Sequence, residues 1–311
     1  MASSSSRGIE FYFQCAVVII GVLGTAANAL ILYALVASKQ HQKHVLIVHQ
    51  NALDLFSSFA MIITYSVKLF NIYLTGPAGY WLCTLLLSES FIWLGTFASV
   101  VNLAIITIER YLKVVHSAWS KIKLRNWMIY SAMAFTWIIS SVTNYCVLFQ
   151  TSAAIDGACF AYVIWENDAD KIIYFMWNFT FFYAIIILIF IFCYWRILVV
   201  IRRQASVMAT HADAGPGSQA HAQTQFNQMQ SNVTKTMIFV CAFYAISWFP
   251  TYAYYLYLFL NPHPYFSESG YYVSVSIAYL YMCTNPCVYA TKFDPVKEVL
   301  LRLIRCRKTS E

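Results

Sequence analysis

The sequence predicts an all-α membrane protein: a seven-transmembrane helix bundle followed by a short amphipathic eighth helix. Three observations carry that prediction. Of 311 residues, 60% are hydrophobic and only 11% charged, whereas charge runs near roughly a quarter in soluble domains. The apolar residues gather in seven runs, 12–37, 46–72, 84–108, 127–149, 172–200, 233–259 and 271–291, each as long as the ~20 residues a crossing helix needs. With the amino terminus outside, all but Arg7, Lys68 and Lys171 of the 20 lysines and arginines fall on the inner side, as the positive-inside rule requires. The net charge of +7 is then an asymmetry across a bilayer, and no nucleic-acid partner is implied.

The elements follow in order. Residues 1–11 form a polar extracellular amino terminus without a cleavage region, so the first span is expected to act as its own signal. The second span carries Asp54 and Lys68, and the third carries Glu89 near its outer end. The third ends in IITIERYLKVV, where an acid and a base, Glu109 and Arg110, stand side by side at the cytoplasmic boundary. Six of the 9 cysteines lie in spans as packing residues, whereas Cys83 and Cys159 face the oxidising side and are expected to form a disulfide. Residues 202–232, rich in Ala, Gln, Gly and His, read as a flexible cytoplasmic loop whose ends extend the fifth and sixth helices. After the seventh span, residues 293–306 place Phe293, Val296, Val299, Leu300, Leu303 and Ile304 on one helical face and Lys297, Glu298, Arg302 and Arg305 on the other. That pattern predicts an amphipathic helix on the inner leaflet, in contact with membrane lipids, ahead of a tail at 307–311. Cys306 at its end is equally compatible with palmitoylation and with a free thiol.

Several residues have chemical consequences wherever they occur. Asp54 in NALDLF lies mid-span, too short to reach water, so it requires a polar interior that Ser99 and Asn285 can supply. Pro250 in SWFP and Pro286 in NPCVY remove the amides that would bond to the carbonyls of Ile246 and Met282. Each proline predicts a kink whose freed carbonyl must find another partner.

Seven spans, an outer amino terminus, ERY closing the third span, SWFP in the sixth and NPCVY in the seventh together resemble the rhodopsin-like (class A) G-protein-coupled receptors. The resemblance covers nearly the whole chain. It implies a plasma-membrane receptor that binds an extracellular ligand and activates heterotrimeric G proteins by outward movement of helix 6, with arrestin as a further partner. It implies a switch built from Glu109, Arg110, Tyr111, Tyr194, Thr234, Trp248, Pro250, Asn285, Pro286 and Tyr289. Asn28 and Trp137 match residues the family keeps for packing and hydrogen bonding. Around Asp54, Ser99 and Asn285 the family holds a sodium ion or a water cluster; Tyr281 and Met282 stand here where small polar residues are usual, so a water-linked centre is the expectation.

Other departures are informative. The helix-six acid that clamps the arginine in many relatives is Gln230 here, with Thr234 one turn later, so a hydrogen bond replaces an ion pair and basal signalling is expected. Ile186 stands where the fifth helix usually has proline, so the bulge there is expected to be absent. Cys83 lies 27 residues before Arg110, about two more than the family spacing, which implies a distorted outer end of the third helix or a disulfide anchored beyond it.

The ligand is constrained by what is missing. Residues 271–291 contain no lysine for a retinal Schiff base, and Tyr279 stands in that place, so no retinal cofactor is expected. The position that carries the acid in amine receptors is Ile92, with Glu89 one turn further out. Acids in the outer loops and tyrosines at the outer ends of helices six and seven point to a small basic or amidated peptide, bound by Lys68, Glu89, Ile92, Trp93, Trp248, Tyr252, Tyr255 and Tyr279. The alternative is a small-molecule receptor for an amine or another chemosensory ligand. A channel or transporter would call for charged helices along a path and usually a repeat, and an intramembrane enzyme for a nucleophile–base pair or metal-spaced ligands; neither pattern is in the spans.

Overall fold

Burial of the backbone in hydrocarbon leaves helices as the economical way for these apolar runs to satisfy their amides, and the computed structural model forms them throughout. It describes residues 4–162, 164–211, 218–261, 267–292 and 294–308, with the backbone alone at 4–7, 204–211, 218–233, 292, 294–295 and 304–308. In chain order the helices are α1 (Ser4–Ala37), α2 (Val45–Leu69), α3 (Gly76–Leu82), α4 (Ser90–Val115), α5 (Ser117–Lys123), α6 (Asn126–Thr151), α7 (Asp168–Phe179), α8 (Ile185–His211), α9 (Ser218–Leu260), α10 (Glu268–Lys292) and α11 (Asp294–Lys308). Wide π-helical turns join α3 to α4 (Cys83–Leu87) and α7 to α8 (Thr180–Ala184). The spans are therefore α1, α2, α3–α4, α6, α7–α8, α9 and α10. Six are long and apolar enough to cross a membrane on those grounds alone. The remaining span, α10, is 25 residues long and packs between α1 and α9, with Tyr279, Tyr281, Asn285 and Tyr289 turned inward.

Polarity is distributed as lipid demands. Leu23, Ile138, Leu188, Ile191 and Phe249 face outward, while Asn28, Gln50, Asp54, Ser99, Asn102 and Asn285 are fully buried. α2 packs on α1 and α4, and α4 on α6 and α8. At Gly95 a side chain would run into Ser57 of α2, so the glycine permits the close approach that sets Ser99 against Asp54.

Three expectations about the helices meet different outcomes. The third helix has the distorted outer end that the Cys83–Arg110 spacing implied: a π turn and then Glu89, whose left-handed backbone (φ 66°) breaks the helix, absorb the extra residues before α4 begins. The bulge in the fifth helix is present without proline: residues 180–184 form a π turn, and the Tyr244 hydroxyl donates to the Phe182 carbonyl within it. The ends of 202–232 extend the neighbouring helices as expected, α8 to His211 and α9 from Ser218; residues 212–217 lie outside the described residues.

The outer loop forms a hairpin, β1 (Ala153–Ile155) and β2 (Ala158–Phe160), with Ala154 opposite Cys159. Its two-residue turn, Asp156 (φ 50°) and Gly157 (φ 80°), needs positive φ at both positions, for which Asp-Gly is suited. The Gly157 carbonyl accepts from Leu74 N at 3.0 Å, and Cys83 and Cys159 form the expected disulfide, with Cα atoms 5.2 Å apart. The hairpin is thus tied twice to the neighbouring chain, at Leu74 in the α2–α3 connection and at Cys83 where the π turn begins. On the inner side, α11 buries Val296 and exposes Lys297, Glu298 and Arg302. Phe293 and the side chain of Cys306 lie outside the described residues.

Candidate functional site

The outer half of the bundle encloses an open cavity of about 890 Å³. Lys68, Glu89, Trp93, Trp248, Tyr252 and Tyr255 all line it. Glu89, stranded at the helix break, accepts at Oε1 from Lys68 Nζ (2.5 Å) and the Tyr65 hydroxyl (2.7 Å), and at Oε2 from the Tyr279 hydroxyl (2.7 Å). Lys68 also lies 4.6 Å from the centre of the Tyr65 ring. The pair holds the αL conformation that a non-glycine residue otherwise avoids. Tyr279 supports Glu89 from behind the wall, and Ile92 is fully buried in packing, away from the cavity surface. The helix break rotates the register, so Glu89 rather than Ile92 faces the space.

The floor is aromatic: the Trp93 ring centre lies 6.0 Å from Trp248 and 6.3 Å from Tyr279. Two buried polar atoms near this floor have no hydrogen-bond partner, the Trp248 Nε1 donor and the Asn178 Oδ1 acceptor, and both residues line the cavity. Asn178 and Tyr65 were not singled out from sequence, because a polar residue in an aromatic run carries no signal until the helix phase is known. Of the outer tyrosines, Tyr271 lines the cavity, Tyr254 bonds the Ser267 carbonyl at 2.9 Å and Tyr257 is exposed. Tyr265 lies outside the described residues.

Beneath the floor is the polar centre. Asp54 accepts from Ser99 Oγ (2.6 Å) and Asn285 Nδ2 (2.6 Å). Behind Ser99 runs a chain of donors: Trp137 Nε1 to His49 Nε2 (3.1 Å), His49 Nδ1 to Asn102 Oδ1 (3.0 Å), Asn102 Nδ2 to Gln50 Oε1 (2.8 Å) and Gln50 Nε2 to Ser99 Oγ (2.5 Å). Because Trp137 can only donate, His49 must carry its proton on Nδ1. Every bond then points toward the Asp54 carboxylate. Ser99 and Asn285 turn donors toward the carboxylate, Tyr281 and Met282 are packed with no exposure, and Asn285 Oδ1 and the Tyr281 hydroxyl are buried without a hydrogen-bond partner. Gln50, four residues before Asp54, was legible as a same-face partner; His49 and Asn102 were not.

The carbonyl freed by Pro286 finds its partner here as well. The Met282 carbonyl accepts from Asn28 Nδ2 at 3.0 Å, which ties α1 to α10 at the broken turn.

At the inner end, Arg110 is 5% exposed. The expected local pair with Glu109 is loose, at 3.9 Å, because Lys113 takes Glu109 Oε1 at 2.5 Å one helical turn away. Arg110 instead directs Nη2 to His44 Nδ1 at 3.1 Å. Thr234 Oγ1 is buried without a hydrogen-bond partner, so it does not supply the bond expected of it; the side chain of Gln230 lies outside the described ones. Tyr194 bonds Thr107 Oγ1 at 3.2 Å, Tyr111 bonds His116 Nε2 at 3.2 Å, and the Tyr289 hydroxyl is buried without a partner. Pro250 and Pro286 both lie inside their helices.

A seven-helix bundle with a cavity at one end, a buried acid at its centre and a buried arginine at the other end defines a membrane receptor. The chain belongs to the rhodopsin family of 7-transmembrane receptors, whose sequence profile matches residues 27–289. It is similar to galanin receptor type 1 of Rattus norvegicus, at 21% identity over 98% of this chain and 85% of the relative, and to the Mus musculus receptor of that name to the same extent. Its backbone resembles the crystal structure of squid rhodopsin with a TM-score of 0.78 at 18% identity, covering 96% of this chain and 87% of that one. The protein is a multi-pass plasma-membrane receptor of the G-protein-coupled class and not an enzyme.

Proposed function

We propose that the receptor, with its amino terminus outside and carboxyl terminus inside, binds a small basic or amidated peptide in the outer cavity and activates a heterotrimeric G protein by outward movement of the inner half of α9. The cavity carries this reading. Glu10, Glu89 and Asp156 stand in walls otherwise rich in aromatics, which suits a cationic chain with apolar side groups. The unpartnered Trp248 donor and Asn178 acceptor suit an amide, which offers an acceptor and a donor together. The similarity to galanin receptors supports a peptide as well.

Trp248 then passes ligand contact to the Pro250 kink, and Arg110, Tyr194 and Tyr289 rearrange as α9 moves. Arrestin is a further partner in this reading, as are lipids along α11, with Cys306 as an acylation site.

A second reading is a small-molecule amine, because Glu89 is the acid nearest the floor. It requires the amine to displace Lys68, Tyr65 or Tyr279, which already occupy both Glu89 oxygens. Matched peptides ending in an amide or a free acid, together with a set of amines, separate the two in cells carrying G-protein sensors. Responses to amines with none to peptides would overturn the peptide reading.

A further inference from the structure

We propose that His44 is the residue that holds Arg110 in the closed position, as a neutral acceptor supplied from the start of α2 rather than from α9. The inference rests on the reading of Arg110 as the cytoplasmic switch.

The chemistry of the contact is one-directional. A guanidinium has five donors, no acceptor, and does not lose its proton in a protein. At 3.1 Å from Arg110 Nη2, His44 Nδ1 must therefore present its lone pair, and the ring must be neutral. The candidate acid on α4 is committed elsewhere: Glu109 holds Lys113 at 2.5 Å and stands 3.9 Å from Arg110 Nε, which has no hydrogen bond. Thr234 on α9, also buried there, makes no bond. Among the described residues, His44 is thus the hydrogen-bond acceptor found for the Arg110 side chain.

The surroundings keep that ring neutral. Burial is the largest influence, followed by Arg110 and Lys113 from α4 and Lys43 from the α1–α2 connection, and together they push its pKa from 6.5 down to about 4. Glu109, beside Arg110, is the nearby counter-charge and is spent on Lys113. Protonation would remove the acceptor and set a new cation against Arg110. Because the closed state depresses the pKa, its advantage is full above the ordinary histidine pKa and is lost as pH falls from about 6.5 toward 4. Acid on the cytoplasmic side therefore favours the open state, provided His44 regains its ordinary pKa there.

The test uses the full chain in nanodiscs, with spin labels at the inner ends of α6 and α9 to read their separation and purified G protein to read basal nucleotide exchange. His44→Phe has no acceptor and should shift the distances outward and raise basal exchange roughly tenfold, the scale of one hydrogen bond to a charged group. His44→Gln keeps a neutral acceptor without a titrating ring; it should stay closed and lose the outward shift that wild type shows between pH 7.5 and 5.5. A folded His44→Phe with wild-type distances overturns the proposal, as does a wild-type pH profile that is flat or is retained in His44→Gln. If His44→Phe does not fold, the His44→Gln profile decides alone. Distances that shift as expected without exchange on any G protein would overturn the coupling reading and leave the His44 contact standing.

Discussion

The Asn28 side chain of α1 donates to the Met282 carbonyl of α10 at 3.0 Å, the carbonyl that Pro286 deprives of its helical partner. The freed carbonyl is therefore not an open defect but a joint between two helices. Asn28→Ala should cost about 1–2 kcal/mol by leaving a buried acceptor unpaired. In a Pro286→Ala background the restored amide can bond Met282, so the cost of Asn28→Ala should shrink. Thermal melting of the four proteins measures the cycle, and equal costs in both backgrounds would show that Asn28 acts elsewhere.

At the cavity wall, Lys68 and Glu89 are both mostly buried and 2.5 Å apart. Removing one partner leaves an unpaired charge, so Lys68→Met and Glu89→Gln should each lower stability by about 1–3 kcal/mol. The double variant should cost less than their sum. Additivity within about 0.5 kcal/mol would mean that the two do not interact.

Asp54 collects donors from α4 and α10. Asp54→Leu should strand Ser99 and Asn285, lower melting by the equivalent of about 2 kcal/mol or more, and abolish the ligand response. Asp54→Asn keeps one acceptor and should melt between the leucine variant and wild type.

The disulfide closes a loop between residues 76 positions apart. Cys83→Ser or Cys159→Ser should destabilise the receptor by about 2–4 kcal/mol. A reducing agent should reproduce the shift in wild type and leave the variants unaffected, as read by melting and surface expression.

With a neutral residue at 230, the inner end of α9 offers Arg110 no acid. Gln230→Glu should lower basal signalling several-fold by adding an ion pair to the closed state, on the scale of about 1 kcal/mol. Basal activity measured with a G-protein sensor at matched surface expression checks this, and an unchanged value would refute it.

The seven spans and the carbonyls freed by Pro250 and Pro286 were determined by the sequence alone, because lipid solvation and the missing proline amide act through composition and local spacing. The pairing of Cys83 with Cys159 was legible as well, since these two alone were expected on the oxidising side. Tertiary structure decided the rest. Glu89 displaces Ile92 from the cavity because a π turn and an αL residue rotate the helix, and no local pattern predicts that rotation. Arg110 meets His44, 66 positions away, rather than its neighbour Glu109. On a helix adjacent residues point apart, while Lys113 lies one turn along on the same face and captures the acid. Side-chain chemistry is written in the sequence, but which donor meets which acceptor depends on helix phase and packing, and these are set only when the bundle assembles.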